Sequence, residues 1–351
     1  MKSGRTAAGS GRIRGLDGVR TLALAGVLLF HMFPRAVPGG YFGVITFFVI
    51  SGFLTAYASV RRGKTPVLSY YGKRIARIYP SLIIMLFISV EIISLVDKFR
   101  LLNVQEEVLS VLLAYNNYWQ ISKSADYFAN LSANSAFTHL WYTSILIQFE
   151  LIWPWLYRLL SWMKKGLAVF GVLVVLSLCV MPFGTLVDGI SQSMLYYGTL
   201  CRIHALLVGA WVGWRAALFE RDNDLQLRTP FTLVTVSAFF AVSVYLFATA
   251  SGDKPYVYQY GIVLYSLACG FTVMVLSQSS GMIGSLLDNP VCRFLSRYSY
   301  EIYLWQYPVL FVFGLWGMNT QPWHYILQLM ILLLLSVWIY GFVAFMKKLF
   351  A

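Results

Sequence analysis

Asp17, Arg20 and His31 lie in one apolar run of the sequence, and their spacing is suited to chemistry across a membrane. Read as a helix, the eleven steps from Arg20 to His31 return within roughly 20° of three whole turns, so the two side chains share a face. They stand about 16 Å apart along the axis, roughly half the hydrocarbon core. Asp17 and Arg20, three apart, can pair at the inner end. Ionisable groups inside a membrane are costly and are functional candidates by default. A guanidinium suits a phosphate-bearing donor on one side, and an imidazole suits proton transfer with an acceptor on the other. The blander reading has Asp17 and Arg20 snorkelling to the interface and His31 hydrogen-bonding between helices; the shared face weighs toward a site.

The elements that must position these residues are membrane helices. The chain is 59% apolar and only 12% charged, against about 45–50% and about 25% for soluble domains. The excess is gathered in runs of the length a helix needs to cross a bilayer. The sequence predicts an all-α, polytopic membrane bundle of about ten transmembrane helices, near 16–33, 41–60, 80–97, 140–162, 167–187, 196–214, 230–250, 256–278, 298–317 and 323–346. The segment 98–139 is the longest stretch between spans, with an amphipathic helix at Val104–Tyr115 and a polar loop running to Thr138. Residues 1–14 read as a basic cytoplasmic tail, with no cleavable signal.

Basic residues fill every second loop: Arg61, Arg62, Lys64, Lys73, Arg74 and Arg77; Arg158, Lys164 and Lys165; Arg215, Arg221 and Arg228; Arg293 and Arg297; Lys347 and Lys348. Such loops stay in the cytoplasm, so both termini are expected inside and 98–139 outside. The net charge of +13 is thereby explained without a nucleic-acid partner. Cys179, Cys201, Cys269 and Cys292 have no paired spacing, which speaks against a disulfide framework or a metal site.

A series of motifs follows in order. Gly15-Leu16-Asp17-Gly18-Val19-Arg20 precedes His31 by ten residues. Then come Gly39-Gly40-Tyr41-Phe42-Gly43-Val44, Phe47-Phe48-Val49-Ile50-Ser51-Gly52-Phe53-Leu54, and Tyr71-Gly72-Lys73-Arg74-Ile75-Ala76-Arg77-Ile78-Tyr79-Pro80. Asn116-Asn117-Tyr118-Trp119-Gln120-Ile121, Tyr127-Phe128-Ala129, Thr138-His139-Leu140-Trp141, Gln148-Phe149, Leu151-Ile152-Trp153-Pro154 and Leu295–Trp305 complete the series. Together they resemble the acyltransferase-3 membrane family over 15–351, and most closely the membrane domain of bacterial peptidoglycan O-acetyltransferases.

The resemblance implies an O-acyltransferase of the bacterial cytoplasmic membrane, bedded in membrane lipid. It would move acetyl from acetyl-coenzyme A inside to a hydroxyl of a cell-envelope glycan outside, with peptidoglycan favoured. It assigns catalysis to His31, Arg20 and Asp17, and the coenzyme A phosphates to Arg20, Arg74 and Arg77. His139, Trp141, Gln148, Arg202 and His204 are expected to contact the acceptor. No metal is implied.

Three departures from the family pattern stand out. Leu146 and Ile147 occupy positions where relatives carry one or two Glu, and Glu150, one turn away on the same face, could supply the carboxylate. Gln306 replaces a His; it can hydrogen-bond but cannot shuttle a proton. The sequence contains no SGNH-type hydrolase domain, so either a separate extracellular transferase completes the reaction or the membrane domain acylates its acceptor directly. Two other classes fit part of the pattern: a non-catalytic sensor or assembly subunit, and a transporter of acyl groups or glycan.

Overall fold

The computed structural model describes residues 13–63, 65–97, 99, 104–123, 135–222, 229–279 and 282–349. The tail before Ile13, Lys64, Arg228 and the 124–134 part of the expected outer loop, which includes the Tyr127-Phe128-Ala129 motif, lie outside them. Among the described residues there is no β-strand. The helices are α1 (Leu16–Met32), α2 (Phe42–Arg62), α3 (Val67–Val96), α4 (Val104–Leu112), α5 (Asn116–Ser122), α6 (Trp141–Trp162), α7 (Gly166–Gly184), α8 (Gln192–Tyr197), α9 (Thr199–Asp222), α10 (Thr229–Thr249), α11 (Ile262–Ser277), α12 (Met282–Leu287), α13 (Pro290–Leu315) and α14 (Pro322–Leu349). A 3₁₀ turn at Thr138–Leu140 leads into α6, and a π-helical turn at Val257–Gly261 into α11.

Six helices are long and apolar enough to cross a membrane: α2, α3, α7, α10, α11 with its leading turn, and α14. The other four expected spans coincide with α1, α6, α9 and α13. α1 has only 17 residues, and the other three are diluted by the polar and aromatic side chains that build the site.

Three boundaries differ from the sequence expectation; α9 runs on to Asp222 rather than ending near 214, so Arg215 and Arg221 lie on the helix and not in a loop. α3 begins at Val67 rather than near 80, so Lys73, Arg74 and Arg77 ride on a helix that continues through Pro80. α13 starts at Pro290, where Asn289 accepts from the Cys292 N–H and proline occupies the first turn, an arrangement that satisfies an orphan donor and costs none.

The amphipathic helix expected through Tyr115 is instead a hairpin. α4 ends at Leu112, Ala114 turns the chain with φ 59°, and α5 departs from Asn116. The tip is seated inside the bundle. The Tyr79 hydroxyl donates to the Leu112 carbonyl, Gln148 donates to the Ala114 carbonyl and to Asn117, and the Asn116 N–H donates to Ser144. Gln148 lies seven residues into α6, about 10 Å down its axis. Irregular backbone at such depth requires protein partners for its polar groups, and those contacts supply them.

The core is centred on α2, which packs most extensively on α9. Three glycines allow this approach. A Cβ at Gly209 would stand 1.9 Å from the Val49 carbonyl oxygen, one at Gly213 2.2 Å from that of Phe53, and one at Gly52 2.0 Å from that of Leu206. Small residues four apart are what close helix crossings in membranes require. Against this pair, α1 is held between α2 and α13, with Val19, Ala23, Val27 and Phe30 buried.

Candidate functional site

The start of α1 is tied to the start of α13. Gly15, at φ +90°, donates its N–H to Asp288 (3.0 Å), Thr21 reaches the Cys292 carbonyl (3.3 Å), and Ser296 donates to Asp17 (2.7 Å). Asp17 thus orients the junction of α1 and α13. Arg20, one turn on, lines a cavity that is partly open to solvent. α2 gives it Ser51 and Thr55, α3 gives Arg74 and Arg77, α6 gives Tyr142, Leu146 and Glu150, and α13 gives Ser299, Tyr300 and Tyr303. A second cleft shares Arg20, Arg77, Ser299 and Tyr300 with this cavity and continues past Asp17 to Arg293 and Arg297.

The charges of this inner region are unequal. Arg74 is paired: its Nε lies 3.0 Å from Glu150, and its Nη2 donates to Thr55. Thr55 in turn donates to Glu150 (2.9 Å), as does the Tyr70 hydroxyl. Arg20 and Arg77 have no hydrogen-bond or ion-pair partner among the described residues, and they repel each other across the shared wall. Arg77 is offset in part by the Glu301 carboxylate of α13, which it acts on electrostatically, and two guanidiniums beside one cavity can attract an anion. Leu146 lines the same cavity as Glu150, so the family's carboxylate position and Glu150 do share a face. Ile147 points elsewhere, packing with Ile78 and Ala114.

The outer half is built from aromatic rings and two histidines. Tyr303, on the cavity wall, donates its hydroxyl to the main-chain carbonyl of His139, and its ring lies 5.1 Å from Tyr142 and 5.4 Å from His139. The His139 ring stacks on Tyr307 at 5.3 Å, and Tyr307 meets His31 edge-on at 5.1 Å. A series of packed side chains thus runs from His31 to Tyr303 and Tyr142, which line the cavity that Arg20 also lines. His139 Nε2 is 3.0 Å from the Leu304 carbonyl; a carbonyl only accepts, so Nε2 carries the proton.

The remaining predicted residues divide. Trp141 and Arg202 come together, with the guanidinium 5.5 Å from the Trp141 ring, 4.4 Å from the Tyr196 ring, and its Nε donating to the Tyr196 carbonyl. His204 lies next to them, fully buried, with Nδ1 2.8 Å from the Cys201 carbonyl. Gln148 is occupied: besides the hairpin tip, its oxygen accepts from Thr199 at 2.6 Å. It fastens the hairpin rather than opening on a cavity.

The sequence reading missed Glu107. This α4 carboxylate is buried, accepts from Ser135 (2.6 Å) and Gln120 (3.3 Å), and acts electrostatically on Tyr307. Burial raises its pKa to about 7 against those two hydrogen bonds. An acidic pair, Glu106-Glu107, on an otherwise apolar helix was the available signal.

The acyltransferase domain family (Acyl_transf_3) matches residues 13–342. The chain belongs to that family. It is 29% identical over 308 residues to a Staphylococcus aureus (strain COL) protein named "Putative O-acetyltransferase SACOL0978", covering 85% of this chain and 50% of that one. It is 26% identical over 339 residues to "O-acetyltransferase OatA" of Staphylococcus aureus (strain NCTC 8325 / PS 47), covering 94% and 56% respectively. The chain thus spans about half the length of the curated relatives it matches. No solved structure matches it. Family membership and, among the described residues, six helices long and apolar enough to cross a membrane point to a membrane protein.

Proposed function

We propose that this membrane acyltransferase is an O-acetyltransferase of the bacterial cytoplasmic membrane. In this reading it takes acetyl from acetyl-coenzyme A on the cytoplasmic side and delivers it to a hydroxyl of a cell-envelope glycan, peptidoglycan in the first instance. The observation that carries it is that Arg20 and Arg77 line one cavity with Tyr303, which bonds to His139, while His139 and His31 both pack on Tyr307. Guanidiniums suit the coenzyme A phosphates, while Arg74 is held by Glu150. The acyl group reaches toward the outer aromatic layer, where His31 accepts the proton of the attacking hydroxyl.

The ten-span arrangement with both ends inside belongs to the same reading. Asp17 with Ser296, Arg158 with the Thr65 carbonyl, and Arg297 over Tyr340 bring the basic ends of α1, α13, α6, α3 and α14 to one side of the bundle, as retention of positive charge in the cytoplasm requires. Trp141, Arg202 and His204 are the proposed acceptor contacts. A separate extracellular SGNH-type transferase is a proposed partner, since relatives extend well beyond the matched region.

The test is reconstitution with radiolabelled acetyl-coenzyme A outside inverted vesicles and peptidoglycan fragments within. Label on the glycan that disappears in His31→Ala supports the reading. Label that never leaves coenzyme A, in protein of native fold, overturns it and favours the sensor class.

A further inference from the structure

Gln306 stands where relatives carry a His, and the structure gives it a position in keeping with chemistry. It is fully buried on α13 and lies beside His31. It interacts with the His31 imidazole, and beyond that contact its amide has no other hydrogen-bond partner among the described residues. Buried amides are nearly always satisfied, and one that is not calls for a ligand or a solvent molecule as explanation. Thr143 Oγ1 and His139 Nδ1 share that condition, one helical turn apart at the start of α6. His139 bonds to the Leu304 carbonyl of α13 and acts electrostatically on His31. His139 and Gln306 thus both lie beside the His31 imidazole.

We propose that Gln306 is a catalytic residue that donates its amide N–H to the oxyanion formed during acyl transfer. The inference rests on the acyl-transfer reading given above. The acceptor hydroxyl oxygen bonds to the thioester carbonyl carbon, and its proton passes to His31. The carbonyl π electrons move onto oxygen, where the amide N–H of Gln306 meets the new negative charge. Collapse re-forms the carbonyl, breaks the carbon–sulfur bond and expels the coenzyme A thiolate, which takes the proton back from His31. An amide is suited to this role because it donates without titrating, at any pH at which His31 is neutral. Preorganised donors act most strongly in sites shielded from water.

Three variants test it in proteoliposomes supplied with acetyl-coenzyme A and glycan. Gln306→Leu keeps the volume and removes the donor; kcat should fall about 10²–10³-fold, with KM for acetyl-coenzyme A unchanged. Gln306→His restores an N–H and should recover at least a tenth of the lost rate. Should Gln306→Leu fail to elute as a single species, Gln306→Asn, which keeps the amide but withdraws it by one methylene, should show the same kcat loss. Wild-type kcat in Gln306→Leu, or a loss carried by KM alone, overturns the proposal while leaving acyl transfer standing. A wild-type protein that releases no coenzyme A overturns both, and is recognised because no variant is then needed.

Discussion

Tyr303 bonds to His139 through its hydroxyl while its ring forms part of the wall of the cavity that holds Arg20. The partition between the inner cavity and the outer histidines is, at that point, a single side chain. Tyr303 thus touches both regions, with Tyr142 beside it on the cavity side and His139 on the other.

Removing the imidazole should separate binding from chemistry. His31→Ala is expected to lower kcat about 10²–10⁴-fold, the range for loss of a general base, with KM for the donor near wild type. Steady-state transfer with varied acetyl-coenzyme A checks this.

The phosphate contacts should show the opposite pattern. Arg77→Gln removes one guanidinium from the cavity, and a hydrogen bond to a charged group is worth about 1.5–3 kcal/mol. KM for acetyl-coenzyme A should rise about ten- to hundredfold with little change in kcat. High salt should narrow the difference, because charge attraction at an exposed mouth is screened.

Glu150→Gln leaves Arg74 without its carboxylate. The cost should fall below the ~3–5 kcal/mol typical of breaking a fully buried pair, since Arg74 is partly exposed and Gln keeps an acceptor for Thr55. A lowered melting temperature together with a raised donor KM is expected. Full transfer at wild-type KM would show that Glu150 does not stand in for the carboxylate missing at Leu146.

Glu107 makes stability depend on pH. Its folded-state pKa of about 7 lies above the model-compound value of 4.5, so between these values the unfolded chain has lost a proton that the folded chain retains. Stability therefore falls as pH rises from about 4.5 to about 7, by at most roughly 3 kcal/mol, and is flat above. Melting curves from pH 5 to 8 should show this slope in the wild type and a much flatter one in Glu107→Gln.

Gly209→Val tests the central crossing. The new Cβ would fall 1.9 Å from the Val49 carbonyl oxygen, which only separation of α2 and α9 can relieve. The variant should elute as aggregate in detergent, whereas Gly341→Ala on α14, where a Cβ meets nothing within 4 Å, should not.

Much of this was legible in the sequence because membranes write it in composition. Apolar runs located the long helices, and the eleven-residue step from Arg20 to His31 located a face. Less legible was whatever depends on partners distant in the chain. The α3 start was missed because Lys73, Arg74 and Arg77 resemble a loop by charge alone, although a helix end can carry them into a polar cavity. Glu107 was missed because its significance comes from Ser135, Gln120 and Tyr307, which only the fold brings near. Gln148 resembled a substrate contact, yet its hydrogen bonds are taken up by Ala114, Asn117 and Thr199.

The hairpin of α4 and α5 carries a consequence for biogenesis. Asn117 donates to the Tyr197 carbonyl and to Thr199, residues synthesised some 80 positions later. Until α6 and α9 have entered the bilayer, only the Leu112 carbonyl at the hairpin tip has a protein partner, Tyr79 of α3, and exposing the other polar groups to hydrocarbon would cost several kcal/mol each. The hairpin must therefore wait in water and dock last. The α4–α5 half of the bundle then closes only after α9 has been made, so a truncated chain lacking α9 would leave Asn117 without its Tyr197 and Thr199 partners.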